Sequence, residues 1–266
     1  MFKSSFAMRY LIRLSYDGAD FCGWQIQNQA PSVQECLQDA LAVLLKRETP
    51  VTGAGRTDTG VHAAGYAAHF DSDDLGGIDP EQFVYKLNAI LPRSVTVHSV
   101  TPVRDDFHAR FDAVRREYSY FVHSGKDPFI ASYSLREDRP LDVEAMNRAA
   151  ARMIGTHDFS CFEKTGGSNK TSVCTVYEAS WQSYRPAHAA LLGFGEGQQY
   201  LYFRIAADRF LRNMVRATVG TLLEIGLGRQ DPAWMDEVLA SGDRGSAGES
   251  VPGYALFLNK VEYETE

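Results

Sequence analysis

The spacing of apolar and polar residues along the chain predicts strands and helices that interleave from end to end. Alternating residues indicate strands, as in 118–122, and apolar residues three or four apart indicate helices, as in 33–45. The predicted strands are 8–17, a stretch that begins at 50 and resumes at 61–70, 95–100, 110–114, 118–122, 173–184, 199–206 and 255–263. The predicted helices run from caps at Ser32, Asp79 and Asp142 to residues 47, 91 and 154, and over 208–226 and 231–240. This order is typical of a mixed α and β class with two similar lobes.

Composition limits the class of protein further. The chain has 266 residues, of which 44% are hydrophobic and 23% charged, and these values are close to those of a folded soluble protein. No apolar run approaches the roughly 18 residues that a membrane helix needs, and the start lacks the features of a signal peptide. The four cysteines form no C-x-x-C pair, which favours free thiols in a reducing cytoplasm.

The negative charge is concentrated at the end of the chain. The net charge is −7, and residues 231–266 alone carry eight acidic and two basic residues. The first 230 residues are therefore almost neutral, and arginine outnumbers lysine by 20 to 7. Because arginine binds phosphate through two parallel hydrogen bonds, the low pI does not exclude a nucleic-acid partner. Compositional drift explains the arginine preference equally well.

Motif searches exclude several common chemistries. The sequence has no P-loop, no H-E-x-x-H and no G-x-S-x-G segment. Gly53-x-Gly55-x-x-Asp58 lacks the third glycine of a dinucleotide-binding loop.

The glycine-rich loop around Asp58 is the first candidate site. Arg56, Asp58 and His62 lie within seven residues of one another, and glycines there let the chain turn sharply and approach a large ligand. A carboxylate beside arginine stays ionised, which suits a nucleophile better than a proton donor. An aspartate that caps a turn is the alternative, and from the pattern alone it is the commoner case.

Two further features suggest RNA. Tyr118 follows two arginines, so its ring could stack on a base, although core packing explains a strand tyrosine equally well. In the predicted helix 208–226, Arg209, Arg212 and Arg216 share one face. That face could bind phosphates or be an ordinary solvated surface.

Several blocks, in the same order, resemble the tRNA pseudouridine synthase A family. The blocks are YDGADFCGWQIQ (16–27), SVQECLQDAL (32–41), GAGRTDTGVHAAGYAAHF (53–70), LPRSV (91–95), DDFHAR (105–110), REYSYFV (116–122), GTHDFSCF (155–162), FLRNMVRATVGTLLEIG (210–226) and ALFL (255–258). The resemblance covers nearly the whole chain. One departure is Ala255, where the family usually has glycine.

The resemblance implies an α+β, pseudouridine-synthase-like fold. Two similar lobes, 1–114 with the catalytic aspartate loop and 115–266, would surround a central, mostly antiparallel sheet with flanking helices. A basic cleft between them would form the active site. The resemblance further implies a homodimer that uses no cofactor and no metal, and that isomerises uridine to pseudouridine at positions 38, 39 and 40 of the tRNA anticodon stem-loop.

The resemblance also implies roles for five residues. Asp58 would be the catalytic carboxylate, and Arg216 would pair with it. Tyr118 would stack on the uracil, Leu256 would form an apolar wall, and Arg56 would fill the space of the flipped base or hold its phosphate.

Two other classes of protein remain as alternatives. A non-catalytic RNA-binding module with the same fold would need no aspartate, but Asp58 is present. A metal-dependent nuclease would need clustered carboxylates, and the acidic residues nearest to Asp58 in sequence are Glu48 and Asp71.

Overall fold

A computed structural model of the protein describes residues 8–164, 166 and 170–264. Within these residues the chain forms ten strands and six α-helices. The strands are β1 (Met8–Tyr16), β2 (Thr52–Gly53), β3 (His62–Ser72), β4 (Val95–Val103), β5 (Ala113–His123), β6 (Leu135–Arg136), β7 (Gly155–Asp158), β8 (Val173–Ser183), β9 (Tyr200–Ala207) and β10 (Leu256–Tyr263). The α-helices are α1 (Val33–Leu45), α2 (Pro80–Ile90), α3 (Val143–Ala151), α4 (Ala187–Leu192), α5 (Met214–Gly226) and α6 (Trp234–Ser241). The predicted α+β class is confirmed.

The chain forms two compact units. Unit 1 contains Met1–Val114 and Leu258–Glu266, and unit 2 contains Arg115–Phe257. The predicted lobes also divide the chain after residue 114, but they place the last nine residues with the second lobe. That the two units are separate folding domains with a cleft between them stays a prediction.

The strands of unit 1 follow the order β4, β1, β3 and β10, and residues 258–263 of β10 belong to this unit. Strand β1 pairs antiparallel with β4 and β3, and the short β2 pairs antiparallel with β3. Strand β1 is hydrogen bonded on both sides, and its Ile12 and Leu14 are fully buried. Helices α1 and α2 contribute buried side chains to the same core, among them Leu37 and Phe83. Burial of these apolar side chains is the main favourable contribution to folding.

The helix caps follow the sequence prediction. The Ser32 hydroxyl accepts a hydrogen bond from the Glu35 amide at the start of α1. Asp79 and Asp142 accept in the same way at the starts of α2 and α3. Each cap satisfies a backbone donor that the first turn leaves without a helical partner.

Unit 2 contains an antiparallel sheet in the order β5, β9, β8 and β7, with β6 paired in parallel to β5. Strand β5 contains all of the predicted strand 118–122 but only the last two residues of the predicted strand 110–114. Residues 110–112 precede the strand, and the Phe111 amide donates to the His108 carbonyl in a turn. Helix α5 is buried along almost its whole length and packs against α3. Strand β7 and helix α4 were not predicted, because four and six residues are too short for a periodic pattern to be distinctive.

The predicted helix 208–226 is wrong over its first six residues. Helix α5 begins at Met214, after Asn213 in the left-handed conformation with φ of +68°. Asp208 follows the end of β9 and does not start a helix, because its carboxylate accepts hydrogen bonds from the amides of Thr175 and Arg209 at 2.8 and 2.7 Å.

Two smaller expectations can be compared with the structure. All four cysteines carry free thiols, and Cys161 and Cys174 are buried. Burial raises the pKa of each of these two thiols to about 12. Among the helices of the described residues, none combines the length and apolar character of a membrane span.

Candidate active site

Asp58 lies on the loop between β2 and β3 of unit 1. The Asp58 side chain is half-buried, Thr57 before it is buried and Arg56 is exposed. The chain turns at once after the aspartate, since the Asp58 carbonyl accepts a hydrogen bond from the Val61 amide at 3.1 Å. The loop therefore presents one arginine and one aspartate in a tight turn of unit 1.

Three aromatic residues hold the loop just before Asp58, and we call Tyr16, Trp24 and Tyr66 the aromatic clamp. The Tyr66 hydroxyl donates to the carbonyl oxygen of Gly55. The Trp24 amide donates to the carbonyl of Thr57 at 3.2 Å. The hydroxyls of Tyr16 and Thr57 share a buried hydrogen bond of 2.9 Å. Hydrogen bonds thus fix the carbonyl oxygen of Gly55 and both the carbonyl and the hydroxyl oxygen of Thr57.

The clamp residues are themselves closely packed. The Trp24 and Tyr66 rings stack with their centroids 4.1 Å apart, and the Tyr16 and Tyr66 centroids are 5.5 Å apart. All three side chains are buried. At Gly53 a Cβ atom would lie 2.2 Å from the Tyr66 hydroxyl and 2.5 Å from Trp24 Nε1, so this position has room only for glycine.

Gly23 brings a second segment of chain against the loop. Its φ is +97°, which L side chains rarely adopt, and a Cβ there would lie 2.3 Å from the Thr57 carbonyl oxygen. The segment that contains Gly23 and Trp24 therefore forms one wall of the loop. Sequence reasoning assigned no role to this segment, although its YDG and GWQ residues were among the matched blocks.

Tyr118 lies on β5 of unit 2, opposite Ile205 of β9. Its side chain is half-buried, and its ring meets Phe210 edge to face at a centroid distance of 5.1 Å. The two preceding arginines make contacts within unit 2. Arg115 pairs with Glu178 at 2.8 Å, and Arg116 donates to the carbonyl of Asp208 at 2.6 Å.

Arg216 lies in the first turn of α5 and is half-buried. Its Nε donates to the carbonyl of Val251 at 2.7 Å, and its own carbonyl accepts from the Val251 amide at 3.2 Å. These two bonds fix the base of the guanidinium against the segment that precedes β10.

The same segment carries Leu256, the first residue of β10, which is buried. It is tied to β5, since the Tyr120 hydroxyl donates to the carbonyl of Pro252 at 3.0 Å. Burial raises the pKa of Tyr120, and nearby Arg216 opposes that rise. Tyr120 and Tyr118 are two residues apart on one strand and so point to the same face. The face of β5 that Tyr118 shares with Tyr120 thus contacts the segment that leads to Leu256, and Arg216 bonds to the same segment.

Ala255, the departure from the family pattern, is fully buried. Its backbone does not have a positive φ, so the position does not require glycine for conformational reasons. The methyl group is accommodated in the core of unit 2.

Arg209 and Arg212 do not share a helix face with Arg216, because both precede α5. Arg212 is exposed and Arg209 is half-buried. The expectation of a basic helix face with three arginines is therefore wrong, and a role in RNA contact for Arg209 or Arg212 stays untested.

The predicted site residues fall into two groups. Arg56 and Asp58 share one loop of unit 1, and Tyr118, Arg216 and Leu256 belong to unit 2. Within the described part of the chain, no three His, Cys, Asp or Glu side chains are grouped so that they could hold a metal ion.

Comparison with known proteins identifies the class to which this fold and site belong. A family model described as tRNA pseudouridine synthase matches residues 13–112 and 149–264. The chain belongs to the tRNA pseudouridine synthase family, as the sequence blocks indicated. The matched ranges include Arg56, Asp58, Arg216 and Leu256, and Tyr118 lies between them.

Relatives over nearly the whole length carry a more particular name. A protein of Bacteroides thetaiotaomicron named tRNA pseudouridine synthase A is 46% identical over 255 residues, which cover 96% of this chain and 90% of the relative. A Bacillus subtilis protein of the same name is 40% identical over 261 residues, which cover 97% of this chain and 100% of the relative.

Proposed function

We propose that this protein isomerises uridine to pseudouridine at positions 38, 39 and 40 of the tRNA anticodon stem-loop. Family membership and the names of its relatives support the reaction and the tRNA substrate. The observation that carries the proposal for this chain is Asp58, held in a tight turn behind the aromatic clamp.

The reaction needs a carboxylate and a base that has left its stack. The bond between uracil N1 and ribose C1′ breaks, the uracil turns, and a new bond forms between C5 and C1′. C5 loses its proton and N1 gains one, so the product is an isomer of the substrate. The ionised Asp58 would either attack C1′ or remove the ribose 2′ proton. Both routes need the target nucleotide to be flipped out. The net reaction is neither oxidation nor reduction, which agrees with the expectation of no cofactor.

The other predicted site residues have roles around this step. We propose that Arg216 pairs with Asp58, because an opposite charge keeps a carboxylate ionised. Tyr118 would stack on the uracil while it turns, and Leu256 would form the apolar wall of the pocket. Arg56, exposed two residues before Asp58, would fill the space left by the flipped base or bind its phosphate.

The partner and compartment are proposals of the same kind. We propose a homodimer in which one tRNA contacts both subunits, and a cytoplasmic location, where free thiols persist. Size-exclusion chromatography with light scattering, with and without tRNA, would test the dimer.

The central test follows release of tritium from uracil C5 of unmodified tRNA. Asp58→Asn removes the charge and the nucleophile but keeps the shape, so we expect no release with folding and tRNA binding intact. Asp39→Asn, on the exposed face of α1, is the matched control and should keep wild-type activity.

Two outcomes would contradict the proposal. Release of even a tenth of the wild-type tritium by Asp58→Asn would remove Asp58 from the catalytic role. Transcripts that keep uridine at only one of positions 38, 39 and 40 test the positions. An unmodified transcript would remove its position from the assignment, and three unmodified transcripts would overturn the assignment.

A further inference from the structure

We propose that the hydrogen bond between the Tyr16 and Thr57 hydroxyls sets the position of Asp58, so that Tyr16 is a positioning residue for the isomerisation. This inference rests on the proposed function and names a residue that acts on the catalytic carboxylate through its neighbour. The two hydroxyl oxygens are 2.9 Å apart and buried.

The Tyr16 hydroxyl is held at a fixed point of unit 1. Tyr16 is the last residue of β1 and pairs with Ala63 on one side and Val95 on the other. Its ring is further restrained by Trp24 and Tyr66, at centroid distances of 6.3 and 5.5 Å. A side chain restrained on so many sides offers a hydrogen-bonding atom with little freedom to move.

Thr57 passes this restraint to Asp58. Thr57 is bound at its side chain by Tyr16 and at its carbonyl by the Trp24 amide, 3.2 Å away. The Thr57 carbonyl and the Asp58 nitrogen belong to the same planar peptide group, so the orientation of this carbonyl determines the position of the Asp58 backbone. The threonine side chain also has few χ1 rotamers, because two heavy atoms are attached to its Cβ. Apolar packing alone would fix neither the hydroxyl nor the carbonyl direction.

A positioning role has a kinetic signature that a purely structural role lacks. A bond that only stabilised the fold would change the amount of folded enzyme and leave kcat per folded molecule unchanged. A bond that aims the carboxylate should lower kcat and leave KM for tRNA nearly constant, because tRNA binding extends far beyond one loop. Small errors in the attack geometry are enough for a loss of about 10- to 100-fold in kcat.

The experiment combines four variants with one control. Tyr16→Phe and Thr57→Val each remove one hydroxyl and keep the size of the side chain. The double variant closes the cycle, and Thr57→Ser restores a hydroxyl at position 57. The control is Tyr10→Phe, another buried tyrosine of β1, whose hydroxyl contacts the Met8 sulfur at 3.8 Å. Thermal unfolding reports the folded fraction, and steady-state tritium release over a range of tRNA concentrations reports kcat and KM.

The expected result is a matched loss of kcat in Tyr16→Phe and Thr57→Val, with the double variant no slower than the slower single variant. Thr57→Ser should recover much of the rate lost in Thr57→Val, and Tyr10→Phe should behave as wild type. An active wild type with an unchanged kcat in folded Tyr16→Phe would overturn this inference, as would fully additive losses. A wild type without tritium release would overturn the proposed function instead.

Discussion

Replacing Gly23 with alanine would place a methyl group against the loop that carries Asp58. The new Cβ would lie 2.3 Å from the Thr57 carbonyl oxygen, whereas ordinary contact begins at 3.4 Å. Either the oxygen or the Gly23 backbone must then move by about 1 Å. A displacement of about 1 Å in reacting groups can lower the rate about 100-fold. We therefore expect Gly23→Ala to lower kcat by about two orders of magnitude.

Gly23→Ala should also lower the free energy of unfolding, partly through the backbone conformation and partly through the collision with Thr57. A second glycine separates these two contributions. Gly77 also has a positive φ, +72°, but no atom lies within 4 Å of its Cβ position. Each alanine substitution should cost about 1–2 kcal/mol for the left-handed conformation. Only Gly23→Ala adds the collision with Thr57, so only that variant should lose kcat per folded molecule.

The assay is tritium release at saturating tRNA, with urea unfolding of the same preparations as a measure of stability. Gly77→Ala should be modestly destabilised and fully active once folded. If folded Gly23→Ala turned over at the wild-type rate, the contact between Gly23 and Thr57 would have no bearing on the position of Asp58, and the reasoning would fail.

Two further predictions concern an aromatic ring and a buried histidine. Tyr118→Phe should keep more tritium release than Tyr118→Ala, which loses base stacking of about 1–3 kcal/mol. An equal loss of activity in both variants would show that the hydroxyl, and not the ring, is the functional group. Burial lowers the pKa of His69 to about 4, so the folded chain stays neutral there while the unfolded chain binds a proton below about pH 6.5. The stability tied to His69 is therefore present above pH 6.5 and lost as the pH falls towards 4. His69→Asn keeps an acceptor for the Ala109 amide, and it should flatten the pH dependence of the free energy of unfolding in that range; an unchanged slope would contradict the argument.

The sequence predicted those parts of the structure that residues close together in the chain determine. Ser32, Asp79 and Asp142 begin helices because a side-chain oxygen must bind an amide two or three residues later, and that requirement lies within one short segment. The order of the family blocks likewise predicted the fold class, the family and the loop of Asp58. These features depend on residues that are close in sequence or on many residues at once.

Features that depend on contacts between distant segments were not predicted. The apolar spacing of 208–226 continues through residues that are not helical. The Asp208 carboxylate accepts a hydrogen bond from the Thr175 amide of β8, and the helix therefore starts later than the spacing predicts. The aromatic clamp joins residues up to 50 positions apart, so no local pattern contains it. Its members were visible only as parts of separate matched blocks.

The pairing of β10 with β3 has a consequence for synthesis on the ribosome. Strand β3 starts at the loop that carries Asp58, and its neighbour β10 is made about 180 residues later. At roughly 5–20 residues per second, the part of the β3 edge that β2 leaves unpaired gains its partner roughly 10–40 s later. Arg13 and Ala109 also wait, since they bind Val261 and Tyr263. An exposed strand edge invites pairing with other chains. Until β10 emerges, the nascent chain therefore holds the aspartate loop beside a partly open sheet edge, and this interval is the one in which pairing with another chain competes with folding.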